Sequence, residues 1–421
     1  MHAPLHAPVE HSDGGDHGPG DHLAGDGRRT ATAATVLRTI LDHGPVARST
    51  VARLTGLSAA AVSRQSAELA ELGLLRERPV RRPRPAVGRP HVPVDIDTRS
   101  HLVGGIHIAV RHTTLVLMDL RGRVLAEQRT PHGDVTAGAV LGAVGDRMAA
   151  FLHEHTGGRR PLGIGVATGG WIDPARGVVV RHTQLNWRDV PAQAVLEDRL
   201  GLPVRVESHS RALARAEQLI GSHRTRARTS LVHLFVGNVV DAAIATGGTV
   251  HHGPRSAAGD VSHLPVGPAP TFPGRLCACG RTGCFQATVA EQVLAEHAAA
   301  SGVLAEARFP HVLAALEADE PWAVALFRER ARLVGRAVAL LLDVINPEIL
   351  VVAEAGIARR PDLLDDLHAE VAERAHVAAD PRRTVVASSF GTRALGVAAG
   401  SIVLHEAYAR PLDLRPSPVR I

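Results

Sequence analysis

All three cysteines of this 421-residue chain, Cys277, Cys279 and Cys284, fall within eight positions, and His263 lies fourteen residues before the first. Three thiolates and one imidazole make a complete tetrahedral zinc shell. Gly280 and Gly283 let the backbone between the cysteines turn tightly enough to converge on one ion. The alternatives are three unrelated buried thiols or a disulfide. Clustering of every cysteine argues against the first, and an odd count without a secretory pattern argues against the second. A structural zinc held by His263, Cys277, Cys279 and Cys284 is therefore expected.

Composition bounds the rest. Aromatic residues make up 3% of the chain against 45% apolar residues overall, so Leu, Val and Ala must fill the core. The sequence has no uninterrupted apolar run of the ~18 residues that a spanning helix needs, and its start, MHAPLHAPVEHSDGG, has no basic-then-apolar leader. A cytoplasmic protein with no membrane partner is expected. The net charge is +5 and lysine is absent, so arginine carries the positive charge and its placement matters more than the total.

Residues 1–29 are rich in Gly, His, Asp and Pro, and read as a disordered, solvated tail despite His2, His6, His11, His17 and His22. From residue 30 to 78 the pattern changes. Val36, Leu37, Ile40 and Leu41 form one apolar helix face, which Gly44-Pro45 ends. Ser49 or Thr50 can cap a short second helix, Gly56 makes a turn, and Ser58 caps a third helix from Ala59 to Leu72. This is a helix-turn-helix, whose last helix enters the major groove of DNA. Val62, Leu69 and Leu72 should face inward. Ala60, Ser63, Arg64 and Ala67 should face out, with Arg64 reaching a guanine edge or a phosphate and Ser63 a phosphate. Ser58 and Gln65 complete the expected contact set, Gln65 toward the flank. Residues 79–98 read as an Arg/Pro-rich wing and linker, in which Arg81, Arg82, Arg84 and Arg89 would hold phosphates or enter the minor groove.

From 99 to 408 the texture is α/β. Strands are expected near 103–110, 113–120, 124 onward, 162–167 and 204–207, with helices at 137–155, 192–200 and 210–220. A similar strand, hairpin and helix order follows from 231 onward and ends in a helix at 394–408. Two similar lobes with a cleft between them fit this order. Residues 409–421 read as a C-terminal tail.

The segment Gly259-Asp260-Val261-Ser262-His263, followed by Cys277-x-Cys279-Gly280-x-x-Gly283-Cys284, resembles the zinc loop of the ROK family (repressors, open reading frames, sugar kinases). The likeness extends over about 30–408. The gap between His263 and Cys277 is a few residues longer than in the family. The resemblance implies an N-terminal winged helix-turn-helix followed by a two-lobed, actin-like or hexokinase-type domain with a zinc loop. It also implies where a sugar would be touched. The matching positions are Gln184, Ser208, His209, Asp260, His263 and Gln286, and several differ in type from the family's residues. Trp171 and Trp187 are either core residues or a stacking wall.

Sugar kinases of this fold need an Asp-x-Gly-x-Thr phosphate loop, a glycine-rich second loop and an aspartate base. This chain has His107-Ile108-Ala109-Val110-Arg111, Gly237-Asn238-Val239-Val240-Asp241 and His209 in those places, and Asp241 would repel a phosphate. The reading is therefore not an enzyme. It is a transcriptional regulator, a repressor of carbohydrate-related genes, that binds a double-stranded operator as a homodimer or homotetramer and senses a sugar or phosphosugar. A sugar kinase with an accessory DNA-binding domain and a zinc-responsive DNA switch are the alternatives.

Overall fold

The computed structural model describes residues 19–78, 92–268 and 275–414. The chain divides into two compact units, one made of residues up to 95 together with those from 408, the other of 96–407.

The first unit holds helices α1 (Pro19–His43), α2 (Arg48–Thr55) and α3 (Ala59–Glu71), then strands β1 (Leu75–Glu77) and β2 (Val94–Ile96), which pair as a two-stranded sheet. Ala33, Val36, Leu37 and Ile40 of α1 pack with Val51, Val62 and Leu69, all buried. Gly56 closes α2 in the left-handed region at φ 72°, and the Ser58 hydroxyl accepts from Ala61 N at 3.2 Å to cap α3. Several expectations are corrected here. Helix α1 begins at Pro19, so the boundary at 29/30 falls inside a helix. Ala47, with no side-chain bond, stands at the start of α2, and Ser49 and Thr50 lie within its first turn. Val94 exchanges backbone bonds with Val46, so this end of the supposed linker is part of the folded unit. At the other terminus, the short turn Pro411–Asp413 packs on α1, so 409–414 is not a free tail. The expected contact residues Arg81, Arg82, Arg84 and Arg89 lie outside the described residues.

The second unit contains two sheets of matching design. Strands β3 (His101–Ile108), β4 (His112–Met118) and β5 (Val124–Pro131) form an antiparallel meander. Helix α4 (Ala137–His155) then returns the chain to β6 (Arg160–Thr168), parallel to β3. A small three-stranded sheet follows, β7 (Trp171–Asp173), β8 (Val178–His182) and β9 (Trp187–Val190), in a stretch with no strand expected from the sequence. Helix α5 (Ala192–Leu200) leads to β10 (Val204–Ser208), parallel to β6, and then α6 (His209–Ile220). The second lobe repeats the plan. After α7 (Arg224–Thr229) come β11 (Ser230–Val236), β12 (Val240–Thr246) and β13 (Thr249–Val250), with β12 antiparallel to both of its neighbours. Helices α8 (Phe285–Val289), α9 (Glu291–Ala300), α10 (Phe309–Glu317) and α11 (Pro321–Ile345) precede β14 (Ile349–Glu354), parallel to β11. Helices α12 (Ala355–Arg359), α13 (Leu363–Arg374) and α14 (Pro381–Thr384), strand β15 (Val385–Ala387) and the long α15 (Ala394–Ala409) complete it.

Helix α15 lies so close to the first sheet that side chains are excluded at the contact. A Cβ on Gly165 of β6 would stand 1.9 Å from the Ala399 carbonyl oxygen, and one on Gly105 of β3 would stand 2.4 Å from Gly400 N. Gly165→Ala should therefore push the helix off the sheet and cost about 1–3 kcal/mol of stability. Urea denaturation measures this, and an unchanged midpoint would mean that the contact tolerates a methyl group.

Candidate functional site

The His/Cys loop is built by short backbone bonds. Pro265 pairs with Cys284 as an isolated bridge, with Val266 N donating to Gly283 O at 3.0 Å and Phe285 N to Leu264 O at 2.9 Å. Cys277 N donates to Arg281 O at 2.9 Å, closing a turn in which Gly280 takes φ 81°. Phe285, fully buried, anchors the loop in the core of the second lobe.

The four expected ligands are together. His263 Nδ1 lies 3.3 Å from Cys277 Sγ, Cys279 Sγ lies 3.6 Å from Cys284 Sγ, and the four donor atoms lie within 4.8 Å of one another. Donors about 2.0–2.3 Å from one tetrahedral ion are about 3.3–3.8 Å apart, so the spacing and the donor set fit a metal ion. Cys284, 2% exposed, heads α8. The Arg281 guanidinium donates to Cys279 Sγ at 3.4 Å and draws that thiol's pKa down to about 6, which favours the thiolate a metal requires.

Beside the loop opens a cavity of about 550 Å³. Gln184, Ser208, Asp260, His263 and Gln286 line it, five of the six positions expected for a small ligand. The sixth, His209, does not. It is 4% exposed, its Nε2 lies 3.0 Å from Asp241 Oδ1, and its ring sits 4.1 Å from that of Phe235. The reason is helical geometry. Ser208 caps α6 and faces the cavity, and the next residue is rotated by about 100° into the interior. Several polar groups at the cavity are already engaged. Gln286 Oε1 accepts from Val240 N at 3.0 Å, Asp260 Oδ1 accepts from Ser262 N at 3.0 Å, and Gln184 Nε2 donates to Asn238 O at 2.6 Å, across the cleft.

The two tryptophans separate. Trp171 lines the cavity, whereas Trp187 is 3% exposed in the first lobe's core and donates to Val135 O at 2.8 Å. Ser210 and Arg255 line the same cavity with no motif in the sequence to mark them out, and Asn238, from the segment matched to the second phosphate loop, lines it too. Asp241, expected to repel phosphate, also lines it, and its carboxylate accepts from Ser210 Oγ at 2.8 Å. Burial raises its pKa, but His209 and the bonds from His209 and Ser210 outweigh this and lower it.

In the first unit, Ala60, Ser63, Arg64 and Ala67 of α3 are exposed together, and Ser58 is exposed at its cap. Gln65 is 3% exposed, packed inward with Ser66, so the structure removes it from this face.

The sequence pattern of the ROK family matches residues 103–405. The chain belongs to the ROK family. It is 35% identical over 394 residues to the transcriptional regulator Rv0485 of Mycobacterium tuberculosis, spanning 91% of this chain and 87% of that one. It is 26% identical over 333 residues to the DNA-binding transcriptional dual regulator NagC of Escherichia coli, spanning 76% and 79%. The crystal structure of a ROK family transcriptional regulator, a homolog of the E. coli MLC protein, superposes with a TM-score of 0.74 at 20% identity, over 92% of this chain and 99% of that one. That likeness reaches across both units of this ROK chain, the helical N-terminal one included.

His182 lines the cavity of this ROK protein, and His107 of β3 and His233 of β11 are buried within the two lobes. Burial holds His182 at a pKa of about 4 and His233 at about 3, and drives His107 well below the usual range. These rings stay neutral when folded and gain protons when unfolded. The stability they contribute is complete above pH ~6.5 and is lost as pH falls toward 4, at up to about 1.4 kcal/mol per pH unit for each ring. The urea midpoint should be clearly lower at pH 5 than at pH 7, and His233→Leu should flatten the dependence. Equal midpoints in the parent protein would show that these rings do not govern acid stability.

Proposed function

We propose that this ROK protein is a DNA-binding transcriptional regulator, a repressor of carbohydrate-related genes, that acts in the cytoplasm as a homodimer or homotetramer. The observation that carries the reading is the α2-turn-α3 arrangement with its exposed, small and polar face. Ser58, Ser63 and Arg64 are exposed on α3 and its cap, which supports their role as DNA contacts, since a small, polar face suits the major groove. Arg81, Arg82, Arg84 and Arg89 add phosphate contacts from the segment between β1 and β2. A dimer places two such helices on two half-sites, so operator affinity depends on their spacing. The 35% identity to a transcriptional regulator over nearly the whole chain supports the same conclusion.

In this reading the two-lobed domain is a sensor. A sugar-like effector enters the cavity and meets Gln184, Ser208, Asp260, His263 and Gln286. Zinc on His263, Cys277, Cys279 and Cys284 is structural and stiffens the loop that carries His263 and Asp260. Kinase activity is not part of it. His107 is buried where the first phosphate loop would need an open, acidic turn, and Asp241 is tied to Ser210 and His209 where the second loop would need glycine and backbone donors.

Operator selection from genomic DNA, followed by gel-shift titration at fixed salt, tests the DNA contact. Arg64→Ala should weaken operator binding about tenfold or more. Unchanged affinity would remove α3 from the interface. Metal analysis tests the loop. The purified protein should carry one zinc per chain, and Cys284→Ser should lose it together with thermal stability. A full complement of zinc in the variant would refute the ligand set.

A further inference from the structure

One wall of the cavity is cationic and held in a fixed geometry. Trp171 opens β7, and Arg181 of β8 is its register partner across the small sheet. The Arg255 guanidinium lies 5.6 Å from the centre of the Trp171 ring, and Trp171 Nε1 donates to the Arg255 carbonyl at 2.7 Å. Trp171 therefore grips Arg255 by both side chain and backbone. The segment so held is strained. Arg255 and Ser256 are consecutive non-glycine residues in the left-handed region, at φ 55° and 56°. Such conformations persist where surrounding contacts enforce them, and they collect at ligand clamps.

The other charges at the cavity are already satisfied. Arg211 Nε bonds Glu207 at 2.7 Å, and its remaining nitrogens bond the carbonyls of Ser256 and Ile172. Arg275 pairs with Glu296. Asp241 is held by His209 and Ser210, and Asp260 by Ser262. Among the described residues, no carboxylate lies within 4.0 Å of Arg181 or Arg255. Two guanidiniums thus reach the cavity without a counter-charge. A guanidinium over an aromatic face keeps its N–H edge free for an oxyanion.

We propose that the effector carries an oxyanion, a phosphate or a carboxylate, on a hydroxylated body, and that Arg181 and the Trp171-held Arg255 bind that group. This inference rests on the cavity being an effector site. The hydroxyls would meet Asp260, Gln184 and Gln286, and the charge would meet the arginines.

The test is calorimetric titration of the full-length protein with glucose, galactose, mannose and ribose, each beside its terminal phosphate and its acid. At least one phosphate or acid should bind more tightly than its neutral parent, and whichever arm binds names the oxyanion. Arg255→Asn keeps a residue that tolerates the left-handed backbone, and Arg181→Gln keeps the strand. Each should weaken the charged ligand about tenfold or more and leave the melting temperature unchanged. Neutral sugars that bind as tightly as their charged forms would overturn the proposal and leave the effector reading standing. Undiminished binding of the charged ligand by both variants would also overturn it. No binding by any member of the panel would count against both.

Discussion

Two helices, α6 and α15, run between the sheets of the two lobes, and alanines make up most of the buried cluster where they pack. Ala167 of β6, Ala212 and Leu213 of α6, Ala353 of β14, and Ala394, Ala398, Ala399 and Ile402 of α15 form one buried cluster. Gly105 and Gly165 let the backbone of α15 rest directly on the first sheet. This close packing joins the lobes and explains the composition. A chain with few aromatic residues and many Ala and Gly can bring helix and strand backbones together, and dispersion attraction strengthens as the packed atoms approach van der Waals distance. Most of the larger Leu, Val and Phe side chains gather in two bigger cores, one in each lobe.

The cavity is a consequence of that seam. Helix α6 begins at its edge, so Ser208 faces the cavity while His209 turns under it and meets Asp241 of β12. The pair, with Ser210, ties the first lobe's helix to the second lobe's hairpin. Gln184 to Asn238 and Arg111 to Gln292 are further bonds across the cleft. Each is an exposed, uncharged or singly charged contact, so each is individually weak. A ligand that competes for Gln184 or Asn238 would change the balance between them, which is the physical route by which occupancy of the cavity can alter how the lobes sit.

The His/Cys loop and the arginine wall flank the same space with different chemistry. The loop is anchored by Phe285 and by backbone bonds, so its four donors need little reorganisation to meet an ion. The wall relies on Trp171 to hold Arg255 in a backbone conformation it would not adopt alone. Preorganisation of this kind lowers the entropy lost on binding.

Much of this was legible in the sequence. That His263, Cys277, Cys279 and Cys284 gather into a cluster that could hold a metal ion could be read because a metal site needs particular donors, and the sequence has no other cysteines. The helix-turn-helix could be read from local rules, since Gly56 and Ser58 act within one turn of their own position. The paired lobes followed from periodicity, because each strand and helix carries its own apolar pattern. What the sequence did not decide was anything set by rotation about a helix or by packing from a distant element. Gln65 is buried, His209 faces away from the cavity, Trp187 fills the core while Trp171 lines the site, and Pro411–Asp413 folds back on α1. Neighbours in sequence point in different directions once wound into a helix, and residues distant in sequence share a surface only after the sheets close. The donor types were thus determined by sequence alone, and the direction each side chain faces was decided by the tertiary structure.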